Sequence, residues 1–373
     1  MILSDTNHEI VLARDTGVRL MNINEAYRFE YIRKVNDVGA FEIMLPGDFD
    51  APMLEAGYDR RIEFWRKPPA GNMQREFLGF VKKTRWQTDA NGFTTLTVSG
   101  PGVNDLLARR YVLVYTTMTR VQKNDYADDM MKLVVFQNMG GGVGVATGRA
   151  ISTSYFTVGP LQSLGPVVSL EFPWQNQLDT LLDIAAAARG AGTSVYFDIV
   201  PTTSAALQFQ TFINQRGTDR RRRYHARPVV FSQEMGNLEM PQLEIDYTDE
   251  KSTFYVTGVG TGLQQNFVGW GDATRQTRSI FAWNEGYFPS QADTGAKLND
   301  IGRAKLDEAN VRYRFTGLLK DTAESQYGYH WFFGDRVSID AFGIQTSAMV
   351  DMVRIAMNED GVETLEASVS QEA

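Results

Sequence analysis

Apolar and polar residues alternate with a period of two along both ends of this chain, a pattern that fits half-buried β-strands and little else. Tyr27, Phe29 and Tyr31 alternate with Arg28 and Glu30. After Gly39, the series Phe41, Ile43, Leu45 resumes the pattern until Pro46-Gly47 stops it. Ile62 and Phe64 alternate with Arg61 and Glu63, and a further strand covers Phe77–Val81. Asn91-Gly92 then supplies a hairpin turn before Thr94–Val98. Short strands at this spacing predict an antiparallel sheet curled into a barrel or sandwich. The pattern returns late in the chain, where Leu243, Ile245 and Tyr247 alternate with Glu244 and Asp246, and Val311, Tyr313 and Phe315 with Arg312 and Arg314. Strands at Val337–Ala341, Met349–Met357 and Glu363–Val369 close it, with Asp360-Gly361 as the last turn and one helix near Ala296–Ala309.

Between these ends the periodicity becomes helical. A short helix is expected over Val103–Arg110 after Gly100-Pro101-Gly102. A second covers Asp125–Met139, with Met130, Leu133, Val134 and Gln137 on one face, and is ended by Gly140-Gly141-Gly142. The clearest stripe is Leu178, Leu181, Leu182, Ala185 and Ala188, with Asn176 as N-cap, Asp179 in the first turn and Gly190 at the C-terminal cap. Strands follow at Val195–Val200 and Leu207–Phe212. The expected fold is therefore β-dominated α+β, with a small α/β insertion over residues 111–227 between β-rich parts at 1–110 and 228–373. Each β-rich end pairs several strands with one helix, which hints at a duplicated design.

Composition narrows the function. At 373 residues the chain is long for one core, so two or three packed units are expected. Hydrophobic residues make up 43% and charged residues 22%, which argues against wholesale disorder. The absence of cysteine removes disulfide scaffolds, thiol catalysis and cysteine-based metal sites. A net charge of −8 argues against a dedicated duplex-DNA binder, which needs excess Lys and Arg. No apolar run approaches the roughly 18 residues of a membrane span. Met1-Ile2-Leu3-Ser4-Asp5 carries no export signal, so synthesis in a cytosol is expected.

No catalytic, metal or cofactor residue emerges. His8, His225 and His330 stand alone, without H-E-x-x-H or G-x-S-x-G to accompany them. The glycine-rich run Gly140–Gly148 lacks the Gly-Lys-Ser/Thr of a phosphate loop and follows a helix instead of preceding one. It reads as a loop. Paired carboxylates of a glycosidase type cannot be seen in sequence spacing. The feature that stands out is the basic stretch Arg216, Arg220, Arg221, Arg222, Arg223 and Arg227, opposed only by Asp219. Three readings fit it: a solvated loop tip, salt bridging inside an oligomer, or a surface meeting nucleic acid, an acidic partner or a phosphate-rich envelope. Tyr224 is the one aromatic residue among these arginines, so single-strand stacking is poorly supported.

Three segments resemble the baseplate hub or tail-tip proteins of long-tailed bacteriophages, siphophage type, which are similar to the central hub protein of contractile tails. The first is Tyr27–Pro46, ending in VGAFEIMLP. The second is Val98-Ser99-Gly100-Pro101-Gly102 with Leu106-Leu107-Ala108-Arg109-Arg110, the junction at which the family's first barrel gives way to an inserted domain. The third runs from Tyr327 through Gly328, Trp331, Gly334 and Asp335 to Val337, ahead of a closing hairpin. At Tyr329-His330 many relatives carry a basic residue and an aspartate, and Phe333 replaces a usual leucine, which puts the geometry of that turn in question. The resemblance implies two β-barrel-like hub domains per chain and a homotrimeric ring that matches a sixfold tail to threefold tip components. It implies as partners a distal tail protein ring, tape measure protein and tail fibre, spike or receptor-binding proteins, with DNA passing through the lumen. The arginine stretch would then face the lumen or a neighbouring chain, and the protein would be part of the virion. Many relatives append a cell-wall hydrolase; with the last predicted hairpin close to Ala373, none is expected here. Alternative readings are a cell-wall-degrading hub, a host-receptor-binding module, or a spike component of a contractile injection system, which would continue into a β-helical needle.

Overall fold

Alternation at the two ends of the sequence builds one large sheet. The computed structural model describes residues 7–50, 54, 59–113, 121–141, 148–172, 174–221, 227–260, 265–290, 295–320 and 322–370. The N-terminal part contributes β1 (His8–Ala13), β2 (Arg19–Ile23), β3 (Arg28–Lys34), β4 (Ala40–Pro46) and β5 (Arg61–Arg66). It continues with β6 (Gln74–Phe80), β7 (Lys83–Thr88), β8 (Thr94–Pro101) and a one-turn helix α1 (Asp105–Ala108). The middle part holds β9 (Tyr111–Val112), β10 (Val121–Tyr126), α2 (Ala127–Asn138), β11 (Phe156–Val158) and β12 (Val167–Phe172). β13 (Gln175–Asn176), α3 (Gln177–Gly190), β14 (Val195–Pro201) and β15 (Leu207–Ile213) complete it. The C-terminal part runs through β16 (Val230–Ser232), β17 (Leu238–Asp246), β18 (Thr253–Thr257), β19 (Phe267–Gly271), α4 (Ala273–Gln276) and β20 (Glu285–Pro289). It ends with α5 (Gly295–Glu308), β21 (Arg312–Leu319), β22 (Arg336–Ala341), β23 (Ile344–Met357) and β24 (Glu363–Ser370).

The ten-stranded sheet follows the order β17-β21-β24-β23-β3-β4-β8-β7, with β22 and β16 branching from β23. Its two halves come from opposite ends of the chain and meet where β3 pairs antiparallel with β23, Tyr31 opposite Ile355. Two barrel-like domains were expected; no barrel closes among the described residues, and the two ends share this sheet and one core. The pairing supplies the reason, since it satisfies the backbone groups that would otherwise leave β3 and β23 as open edges. A four-stranded sheet, β2-β1-β5-β6, packs across the apolar face. Phe64 sits at the centre, its ring 4.9 to 5.9 Å from those of Tyr31, Phe29, Phe41 and Phe77.

The Ser99–Gly102 corner is glycine-rich for a steric reason. A Cβ on Gly100 would lie 1.9 Å from the Phe80 carbonyl oxygen, and one on Gly102 would lie 2.3 Å from that of Val38. Only bare backbone lets β8 pass this close to β6 and the β3–β4 turn, where Gly79 bridges Gly102.

A second core, formed by α2, α3 and the strands around them, lies almost wholly within the middle part. The expected helices are present and most of each predicted stripe is buried, Leu181, Ala185 and Ala188 in α3 and Met130 and Val134 in α2. The buried faces extend further, however, and leave one predicted residue of each helix outside. In α3, Leu182 is exposed, while Thr180, Ile184 and Ala187 are buried. The alanine-rich side is enclosed because α5 also packs on it: a Cβ on Gly190 would fall 2.7 Å from the Ala304 amide nitrogen. Gly190 is thus the last helical residue, and Gly192 takes the left-handed turn at φ 91°. In α2, Gln137 is exposed and Asp128, Asp129 and Lys132 are buried. Asp129 accepts from the Gln162 and Ser163 amides at 2.8 and 3.1 Å, and Lys132 pairs with Asp128 at 3.0 Å. A third, small core joins the sheet β19-β18-β20 to α5 through Val256 and Leu298.

Candidate assembly surfaces

The arginine stretch follows β15 and runs back along β22. Arg216 bonds Asp198 of β14 at 2.8 Å and lies over the Phe212 and Phe333 rings. Arg220 bonds Asp335 and sits over Phe332. Arg221 turns back onto Asp219 at 2.8 Å. Backbone bonds from Arg220 N to Arg336 O at 2.8 Å and from Arg336 N to Thr218 O at 3.0 Å stitch the segment to β22. Arg227 is exposed. Arg222 and Arg223 lie outside the described residues. Three of the arginines therefore neutralise carboxylates of their own chain, and two of them, Arg220 through Asp335 and Arg216 over Phe333, clamp the middle part onto the C-terminal sheet.

Asp335 anchors that clamp. It is buried, accepts from the Thr218 and Phe332 amides at 2.6 and 2.9 Å, and receives Arg220. Burial pushes its carboxyl above the ordinary range, against the pull of those bonds. The preceding turn is equally tied down, with Tyr327, Trp331 and Phe333 buried. Tyr327 donates to Glu76 at 2.7 Å, and its carbonyl accepts from Arg66 at 3.0 Å. Arg66 also grips Glu363, which His8 meets at 2.7 Å. Burial disfavours the Glu363 anion, but hydrogen bonds from His8 and Arg66 outweigh it and hold its pKa at about 2. His330 accepts from the Gln326 amide at 3.0 Å within this turn, and His225 lies outside the described residues. A cavity of about 80 Å³ marks where all three parts meet, lined by Arg33, Glu76, Asp198, Arg216 and Phe333.

The ten-stranded sheet turns its other face outward, and that face is mainly polar, with Ile32, Met44, Met352 and Ala356 set among its charged and hydroxyl side chains. Along β3, β4, β8 and their neighbours it carries Arg28, Glu30, Glu42, Thr95, Thr97 and Ser99, the residues that alternate with the core. Cross-strand ion pairs offset its cations: Arg28 with Glu42 at 3.4 Å, and Arg354 with both Glu30 and Glu366. The sheet ends in edges of opposite sign. β7 presents exposed Lys83 and Arg85, and β17 carries Glu244 and Asp246, with Glu239 paired to Lys320.

The family model described as Siphovirus ReqiPepy6 Gp37-like protein matches residues 14–369. The chain belongs to this family. Its fold is also that of known tail proteins. The 43 kDa tail protein of prophage MuSo2 from Shewanella oneidensis matches with a TM-score of 0.61 and 13% identity, covering 98% of each chain. A tail protein from Neisseria meningitidis MC58 matches with a TM-score of 0.60 and 13% identity, covering 98% of this chain and 97% of that one. A chain of the Francisella PdpA–VgrG complex matches with a TM-score of 0.52 and 8% identity, covering 98% of this chain and 58% of that one. No curated protein matches the sequence.

All three segments that carried the family resemblance hold structural positions: the β3–β4 hairpin, the glycine corner, and the buried turn ahead of β22. Sequence reasoning missed the Glu76–Tyr327–Arg66–Glu363 ties, because their partners are far apart in the chain and each residue alone looks like a surface polar residue. The polar sheet face was present in the alternation itself, as its hydrophilic half.

Proposed function

We propose that this siphovirus family member is the structural hub of the phage tail tip, a homotrimeric ring in the virion that surrounds the channel for tape measure protein and DNA. The observation that carries this reading is the ten-stranded sheet, whose polar face suits a water-filled passage and whose two open edges carry opposite charge. Copies placed edge to edge, β7 against β17, would continue the sheet around an axis and bury both edges. On that face Arg28 and Arg354 are already paired to carboxylates, which weakens their hold on DNA phosphates. In this reading the divisions 1–110 and 228–373 act as the two ring-forming hub domains, and 111–227 is the inserted domain, whose largely separate core supports that division. The ring would dock on the distal tail protein ring and carry fibre, spike or receptor-binding proteins. Its role is assembly, not catalysis. Of the basic stretch, Arg216, Arg220 and Arg221 serve the fold, and this reading assigns Arg222 and Arg223 to the lumen or a partner chain.

The test is the mass of the purified chain in solution with negative-stain images, alone and with the distal tail protein. Three-subunit rings are expected. Reversing β7 with Lys83→Glu and Arg85→Glu should reduce them to monomers, and adding Glu239→Lys and Glu244→Lys should restore them. A wild-type chain that stays monomeric beside its distal tail protein, or a reversal without effect, overturns the reading.

A further inference from the structure

We propose that the outer face of the small sheet β19-β18-β20 is a binding platform for a neutral polysaccharide. β18 lies between antiparallel β19, with Tyr255 opposite Gly269 and Thr257 opposite Phe267, and parallel β20, with Tyr255 opposite Tyr287. The inner face packs on α5 through Phe254, Val256, Val268 and Phe288. The outer face keeps its aromatic residues in water: Phe267 is 60% exposed, Tyr287 62%, and neighbouring Trp283 58%.

These rings are fixed in place. Tyr255 stacks on Phe267 with centroids 5.7 Å apart and planes within 23°. One oxygen of Glu285 accepts from both Tyr255 Oη at 3.0 Å and Trp283 Nε1 at 2.8 Å. Tyr287 Oη lies 3.0 Å from Thr257 Oγ1. The polar edges of three rings are thus bonded to the sheet. Tyr255 supports Phe267 by stacking, and the exposed faces of Phe267, Trp283 and Tyr287 are what remains for a ligand. Gly269 keeps the surface level, since a Cβ there would stand 3.3 Å from the Tyr255 ring. A rigid platform loses little rotamer freedom on binding.

Pyranose rings present apolar C–H faces bordered by hydroxyls, which matches aromatic faces bordered by a carboxylate, tyrosyl hydroxyls and a threonine. Nucleic-acid bases also stack on such rings, but their backbone needs cations beside the platform. Lys251 bonds Asn284 at 3.0 Å to one side, but the charge bonded to the rings themselves is the Glu285 carboxylate, which repels phosphates and polyuronates alike. A protein partner would instead seat the apolar tip next to the platform, where Ile280 is 91% and Phe281 86% exposed. The occupant favoured by the bonded geometry and the charge is a neutral glycan, and the site does not depend on ring assembly.

The experiment is native electrophoresis of the full chain through gels containing hydroxyethyl cellulose or glycol chitin, with poly-dT and polygalacturonate gels as charged comparisons. Retardation is expected in at least one of the two neutral gels. Tyr287→Ala and Trp283→Ala should each weaken it about tenfold or more, whereas Ile280→Ser with Phe281→Ser should leave it unchanged. Both ring substitutions remove exposed side chains, and an unchanged near-ultraviolet circular dichroism outside the Trp283 contribution confirms the fold. No retardation in either neutral gel, equal retardation of the ring variants, dependence on Phe281 alone, or stronger retention by poly-dT would each overturn the proposal.

Discussion

In the ten-stranded sheet the aromatic residues Phe29, Tyr31 and Phe41 are buried, whereas in the three-stranded sheet Phe267 and Tyr287 lie open to water. Strand alternation and aromatic content are alike in the two. What differs is the layer across from them. The four-stranded sheet covers the first set of rings, and their contacts with Phe64 and Phe77 are core packing. In the small sheet α5 covers one face, and the opposite face keeps rings whose polar edges are bonded but whose surfaces are free. An alternating strand therefore fixes which residues share a face. Whether that face becomes core depends on a partner elsewhere in the chain.

Substitutions can sharpen that contrast. The largest effect is expected at Phe64→Ala, which empties the centre of the large core and should cost about 3–5 kcal/mol in urea denaturation. A loss below about 1 kcal/mol would mean that the two sheets are not packed as described.

Next comes acid titration. Glu363 has a folded pKa of about 2 against an ordinary value of 4.5, so the unfolded chain takes up its proton first as pH falls. The stabilisation is complete above about pH 4.5 and is lost as pH drops toward 2, amounting to roughly 2–3 kcal/mol for this side chain. Glu363→Gln should flatten that part of the stability–pH curve. An unaltered slope would place the acid-sensitive tie elsewhere.

Asp335→Asn keeps the shape of the clamp but removes the charge that Arg220 meets, and about 1–3 kcal/mol is expected from thermal unfolding. The smallest effect belongs to Tyr287→Ala, within about 0.5 kcal/mol of wild type, because the ring is exposed. A cost near that of Phe64→Ala would erase the distinction between core and platform.

The strands were legible because a period of two needs only neighbours in sequence. Arg28–Lys34, Ala40–Pro46 and Val195–Pro201 fall close to where the alternation predicts them. Helix positions were legible as well, and so was most of each buried face, apart from Leu182 and Gln137. Leu182 faces water because α5, more than a hundred residues later, packs on the alanines of α3. Charge was the least legible of all. In sequence the arginine stretch fits a solvated loop tip, an oligomer salt bridge or a partner surface, yet Arg216 finds Asp198 and Arg220 finds Asp335 in its own chain, 18 and 115 residues away.

By itself the sequence determined the longer helices, the strands with clear alternation and their two faces, the glycine corner and the family resemblance, all of which rest on local sterics or on residues close together in the chain. The strands His8–Ala13, Arg19–Ile23 and the three of the small sheet were not marked in it. Only the tertiary structure decided that both ends share one sheet, which aromatic faces stay open and which charges are spent inside the chain. Those outcomes depend on contacts between distant residues, where desolvation and pairing are settled by whatever the fold brings alongside.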